Sequence, residues 1–435
     1  VGRKFCFFSS RNREKVFPFS LAATSGCRSC RVRILKTQFF FAYAIMGSIV
    51  PFLPIYLKRE QGLTEGQVGL VLGLASVSIL LTPVLMTLLA DTRFDSRRLA
   101  SVIFGVSAAA MLALFFAEGL WLVLALLCVH SLAYAAVVPL HDGMAFGLQR
   151  RMEAAGEPIV PYYHIRVCGT VGFILPSVIF FGFLTYGYST SVILLGAVAF
   201  STAALLNAFR LPAPRTEEAR HQAAKRVPTR DAAAVFLRPG MRVFCVALFT
   251  TFVAAAAFGS FYPLYMVDVV GVEERWVGLI FNFGVVIEIF FMLGFGWLQA
   301  RLGLRNIMVI GTACFALQAV TLGLFPNVFT AVAVQLLHGM IIVGIYMAPI
   351  MFINRQAGDH FRNSIQGLYT MMIMGLARIV GIIVAGQAAD VNLRIIPFAA
   401  AALAACGASM LFVAFREQKI RYPGGTAEPV RDPSC

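Results

Sequence analysis

Residues Phe281 to Trp297 read FNFGVVIEIFFMLGFGW, seventeen residues whose single charge, Glu288, lies near the middle of an otherwise apolar run. A run of this kind is long enough to enter the roughly 30 Å hydrocarbon core of a bilayer as a helix, which takes about 20 residues to cross it. A carboxylate at the centre of such a helix costs about 2.5 to 3.5 kcal/mol on insertion scales, so it calls for a partner or a function. His338 and Arg378 also stand near the middle of apolar runs, placing an acid, a titratable ring and a fixed cation at similar depth.

Working outward, similar runs recur at 34–57, 65–90, 99–117, 120–148, 164–184 and 190–209, and again at 242–267, 275–299, 306–325, 329–353, 363–389 and 395–415. They predict an all-α membrane protein with about twelve spans. Hydrophobic residues make up 59% of the 435 and charged residues only 13%, too little polar surface for a soluble fold. The strand-length alternation of a membrane β-barrel is missing. The formal charge of +15 does not indicate nucleic acid, because roughly thirty of the cations gather on one side once the spans are drawn. Arg93, Arg97, Arg98, Arg150, Arg151, Arg301 and Arg305 belong to that side, which reads as cytoplasmic, with both termini. The opposite loops carry Lys58, Arg59, Arg275 and Arg394 among the acids Glu118, Asp268, Glu273 and Glu274.

Five segments follow: a basic cytoplasmic tail at 1–33, a six-helix half at 34–210, a cytoplasmic linker at 211–241, a second six-helix half at 242–415, and a tail at 416–435. The linker opens with LPAPRTEEARHQAAKRVPTRD, Leu211 to Asp231, whose prolines stop the preceding helix. The first tail begins with Val and lacks the apolar core of a signal peptide, and it reads as a disordered extension or an overextended gene start. Nine cysteines scattered mainly among apolar runs do not form a disulfide framework, and the lone Cys27/Cys30 pair has no second pair to complete a metal site. No cofactor or metal is expected. The absence of a GxxxxGK[ST] loop leaves no site for nucleotide-driven pumping.

An internal repeat supports the two halves. Gly296, Arg301, Gly303 and Arg305 in GWLQARLGLR fit a G-x-x-x-[D]-R-x-G-x-R pattern, with Ala300 at the Asp position. The first copy, LLADTRFDSRR, keeps Asp91, Arg97 and Arg98, with Thr87 in place of the leading Gly. This pattern resembles the loops of the major facilitator superfamily between helices 2 and 3 and between helices 8 and 9, where the resemblance implies a gating role. Small residues let helices approach closely, and acid and guanidinium groups can latch a neighbouring helix end.

Arg166, Thr170 and Phe173 lie in IRVCGTVGF, 165–173, at i, i+4 and i+7, so they share one helical face and offer a cation, a hydroxyl and an aromatic plate to one cavity. Asp142, in VVPLHDGMA, lies toward the same end of the preceding span and suits an ion pair with Arg166. The IR-x-x-GT-x-GF segment resembles that of bacterial nucleoside:proton symporters, where its Arg, Thr and Phe line the nucleoside site. Resemblance to that family extends over HSLAYAAVVPLHDGMAFGLQRRMEAAG, VVIEIFFMLGFGWLQARLGLRNIMVI and SIQGLYTMMIMG, and it makes Glu288 the binding-site carboxylate of helix 8. The chain departs from the family at Val253 to Ala257, at Val285 and at His338, where polar amides, Gln and Tyr are expected. VVPLHDGMA, VVIEIFF and VQLLHG also resemble the phenylpropionate-permease branch, which Asp142 and His338 fit better.

The resemblances imply a proton-coupled symporter rather than an enzyme, working by alternating access as a monomer in the bacterial inner membrane. Its expected partners are protons, lipid and a small solute: a nucleoside, or alternatively an aromatic acid or a sugar. A channel or a non-transporting receptor is the rival class. Arg166, Thr170, Phe173, Glu288, His338 and Asp142 are the candidate substrate contacts, and Glu288, His338 and Arg378 the candidate coupling groups. Desolvation raises a carboxylate's proton affinity and a neighbouring Arg lowers it, so moving Glu288 relative to water or Arg378 would couple protonation to conformation.

Overall fold

A computed structural model of the chain describes residues 28–81, 96–211, 236–237, 239–356 and 362–415. All regular structure among the described residues is helical, as a bilayer requires of any open chain that must satisfy its own backbone. We number the apolar helices α1 Cys30–Arg59, α2 Glu65–Leu81, α3 Arg97–Phe115, α4 Leu120–Ala154, α5 His164–Thr185, α6 Val192–Ala208, α7 Gly240–Asp268, α8 Glu274–Leu293, α9 Phe295–Leu324, α10 Val328–Ile353, α11 Gln366–Asn392 and α12 Ile395–Val413. Ten of these are long and apolar enough to cross a membrane; α2 and α6 are shorter, and α2 runs up to residues outside the described set. The first helix begins at Arg28, inside the segment read as a tail. Residues 1–27, most of the linker, the tail from 416 and Asp91 lie outside the described residues.

The two halves pack alike. In the first, α1 lies against α5 and α6, α3 against α4 and α6, and α2 against α4. In the second, α7 lies against α11 and α12, α9 against α10 and α12, and α8 against α10. Adding six to each helix number of the first set gives the second, the structural form of the internal repeat. Buried polar chains hold the first half together: Ser107 Oγ lies 3.1 Å from both His130 Nδ1 and Ser201 Oγ, and Asn207 donates to Gln38 Oε1 at 2.6 Å. His141 is fully buried with its ring between the edges of Phe39 and Phe104, so its role is packing.

The halves meet mainly along α2 on α11 and α5 on α8. Gly69 and Gly386 bring α2 and α11 together backbone to backbone, since a Cβ on Gly69 would stand 2.6 Å from the Gly386 Cα. Helices are interrupted in both halves, α1 after Ile49 and α4 after Tyr134 in the first. Helix α10 contains a 3-10 turn at Val334–Leu337 and a π turn at Val343–Met347, and α11 a π turn at Thr370–Gly375. Such turns tend to sit beside functional groups; His338 follows the first directly and Arg378 comes three residues after the last.

Candidate functional site

From its first turns α5 presents Arg166, Thr170 and Phe173, and α8 presents Glu288, with Phe281 two turns before it. The Phe173 and Phe281 rings lie 6.2 Å apart, so the two halves touch through an aromatic pair. Phe281 is also ringed by Tyr262 at 6.5 Å and His338 at 6.4 Å. Gln335 donates to the Tyr262 hydroxyl at 2.6 Å, which fixes one wall of the site from α10 to α7.

The charges beside this aromatic set are loosely held. Glu288 Oε2 lies 3.9 Å from His338 Nε2, beyond hydrogen-bond length, and both side chains are only partly buried. Arg166 stacks its guanidinium on the Tyr43 ring, 4.1 Å from the centroid. Its charge reaches Glu288 from the opposite half and Asp142 from its own. The direct Asp142–Arg166 ion pair suggested by the sequence is not formed. Asp142 accepts a 2.6 Å hydrogen bond from Tyr162, one turn before Arg166, and that phenol occupies the carboxylate. Tyr43 and Tyr162 were not singled out by the sequence, since nothing in the pattern of aromatic residues marks them.

Arg378 stands apart from this group. Its Nε donates to Ser76 Oγ on α2 at 3.2 Å, so it faces the other half. Tyr346 on α10 lies within electrostatic reach of both Arg378 and Glu288.

The predicted gating residues make their described contacts within their own half. Arg305 donates to the carbonyls of Phe415, at 2.7 Å, and Phe412, capping the end of α12. Arg301 lies 4.9 Å over the Trp297 ring. Gly303 lies within α9 at φ +74°, a non-helical conformation that favours glycine and kinks the helix there, while Gly296 has no neighbour within 4 Å of where a Cβ would be. Arg97 is half-buried and Arg98 exposed at the start of α3.

The opposite end of the bundle, away from these arginines, carries an ionic seam between the halves. Lys58 Nζ lies 2.5 Å from Glu65 and 2.8 Å from Asp268, and Arg59 lies 3.2 Å from Asp268 and 2.9 Å from Glu274. Asp390 of α11 caps the start of α2 through the Gly66 N–H at 2.6 Å. Beneath the seam, Phe181 packs on Trp276 at 4.8 Å and Asn282 donates to the Ile174 carbonyl at 3.4 Å. The sequence showed these charges but gave no sign of their pairing.

The MFS_1 like family matches residues 32–400. Among curated relatives, the uncharacterized transporter YwbF of Bacillus subtilis is 24% identical over 77% of this chain and 81% of its own length. The xanthosine permease of Escherichia coli is 23% identical over 82% of this chain and 87% of its own. The crystal structure of the nucleoside transporter NupG superposes with a TM-score of 0.75 at 20% identity, covering 88% of this chain and 97% of that one. These relatives are transporters and permeases rather than enzymes, and the apolar helices make this a multi-pass membrane protein. The chain belongs to the MFS_1 like family.

Proposed function

We propose that this protein is a proton-coupled symporter of a nucleoside-like solute. The observation that carries the reading is the Phe173–Phe281 pair joining the two halves, with Arg166 on the helix of one ring and Glu288 on the helix of the other and neither charge consumed by a close ion pair. Two aromatic plates accept a planar base, and a guanidinium, a hydroxyl and a carboxylate supply donors and acceptors for its oxygens and for ribose hydroxyls. The names of the xanthosine permease and NupG agree with that class.

Glu288 is the proton site in this reading, with His338 as its neighbour. The seam at the Lys58–Asp268 end closes one access route, and the site is reached from the arginine-rich end, which the charge bias makes cytoplasmic. Proton and substrate together neutralise and satisfy the site, so the halves can rock about it and expose it to the other side. The expected setting is the bacterial inner membrane, with the protein acting as a monomer.

Uptake of uridine into proteoliposomes under an imposed pH gradient tests this. Glu288→Gln should abolish gradient-driven accumulation while exchange of uridine across the membrane persists at a reduced rate. Accumulation equal to wild type in that variant would remove Glu288 from the coupling step.

A further inference from the structure

We propose that the cargo is an anion and that Arg378 is the residue that holds its charge. This rests on the nucleoside reading above and narrows it to a nucleoside carrying one acidic group on its base.

Arg378 lies in the middle of α11, three residues after the end of a π turn. Its Nε donates to Ser76 Oγ on α2, so the guanidinium is drawn toward the interface between the halves. Among the described residues no carboxylate lies within the 4.0 Å of an ion pair, and its bond to Ser76 uses one of five guanidinium donors. A cation at that depth without an anion is costly to keep unless its partner arrives with the substrate.

The other charges are accounted for. Asp142 is held by Tyr162 at 2.6 Å, and the cation that acts on Glu288 is Arg166, not Arg378. Once Glu288 takes up the coupling proton, the two arginines face the single carboxylate of Asp142. One negative charge on the substrate restores neutrality in the loaded cavity, the condition under which a polar site crosses the middle of the membrane most cheaply. A planar acid also fits the guanidinium fork, which binds carboxylates through two parallel hydrogen bonds.

The test measures binding of three probes to the purified full-length protein by calorimetry: uridine, 5-carboxyuridine and its neutral isostere 5-carbamoyluridine. The acid should bind at least about tenfold more tightly than the amide in the wild type, as expected for a charge-assisted pair. That ratio should fall to about one in Arg378→Gln and be partly retained in Arg378→Lys, which keeps the charge but not the fork. Because the ratio is internal to each variant, a general loss of affinity cancels. Equal binding of acid and amide to the wild type overturns the proposal while uridine binding leaves the nucleoside reading standing. A preference that survives Arg378→Gln belongs to another cation and also overturns it. If none of the three probes binds the wild type, the nucleoside reading fails and this inference fails with it.

Discussion

The ionic seam at the Lys58–Asp268 end and the mid-depth site use the same kinds of side chain in opposite ways. At the seam, Lys58, Arg59, Glu65, Asp268 and Glu274 pair at 2.5–3.2 Å, and both Lys58 and Arg59 touch two carboxylates. At the site, Glu288 stops 3.9 Å from His338, Arg166 rests on a ring and Arg378 on a hydroxyl. Depth explains the difference. Seam charges near water are inexpensive to pair and to part, each exposed pair contributing about 0–1 kcal/mol. Charges at mid-depth are costly when unmet, so leaving them unmet makes sense only where something else meets them. In the proposed cycle the seam holds the halves together reversibly and the site stays open for cargo.

The most damaging way to break this contrast is to deny the seam its approach. Gly69→Val places a side chain against the backbone of Gly386 and the carbonyl of Ile382, and neither can yield without parting α2 from α11. Uridine uptake is expected to fall to background in protein that remains monodisperse. Ser177 is buried between α5 and α8, and with Ser177→Cys in a cysteine-free background the thiol at position 177 should become readily alkylated in Gly69→Val. Wild-type uptake in Gly69→Val would show that the seam can close without this crossing.

The site is challenged next by Arg166→Ala. A charge-assisted hydrogen bond contributes about 1.5–3 kcal/mol, so uridine affinity should drop roughly 10- to 100-fold. Calorimetry on the purified variant reads this directly, and an unchanged affinity would move Arg166 from the site to a structural role on Tyr43.

How much of this contrast was legible in the sequence depends on range. Helix α8 and its Glu288 could be read from a seventeen-residue run, because membrane insertion is decided by local composition. The face shared by Arg166, Thr170 and Phe173 was equally local, set by helical spacing. The Asp142–Arg166 pairing failed as a reading because Tyr162 is adjacent in space to both, and a phenol before a helix gives no signal of where it turns. Lys58 and Asp268 are 210 residues apart, and the charge pattern that assigned them to one side of the membrane could not say that the halves bring them into contact. The irregular turns of α10 and α11 had no local signature either, though they set the rotation of His338 and Arg378. For the loop repeat, Gly303 was legible through its pattern, while the attachment of Arg305 to the end of α12 was not.

The smallest effect should come from thinning the seam without removing it. Asp268→Asn weakens two ion pairs, those to Lys58 and Arg59, and leaves Lys58–Glu65, Arg59–Glu274 and the Asp390 cap in place. A loss of about 1 kcal/mol shifts the balance between closed and open seams about fivefold, measured as the alkylation rate of the thiol at position 177. Salt separates this from a packing defect. The side chains of Lys58, Arg59 and Asp268 are 30%, 47% and 22% exposed, so raising ionic strength from 0.01 to 1 M, which shortens the screening length from about 30 to 3 Å, should bring wild-type labelling toward that of Asp268→Asn. The same change should leave Gly69→Val unaffected, because a steric contact is not screened. If salt speeds labelling equally in all three proteins, the seam is not held by its ion pairs, and the contrast with the site is one of packing and not of charge.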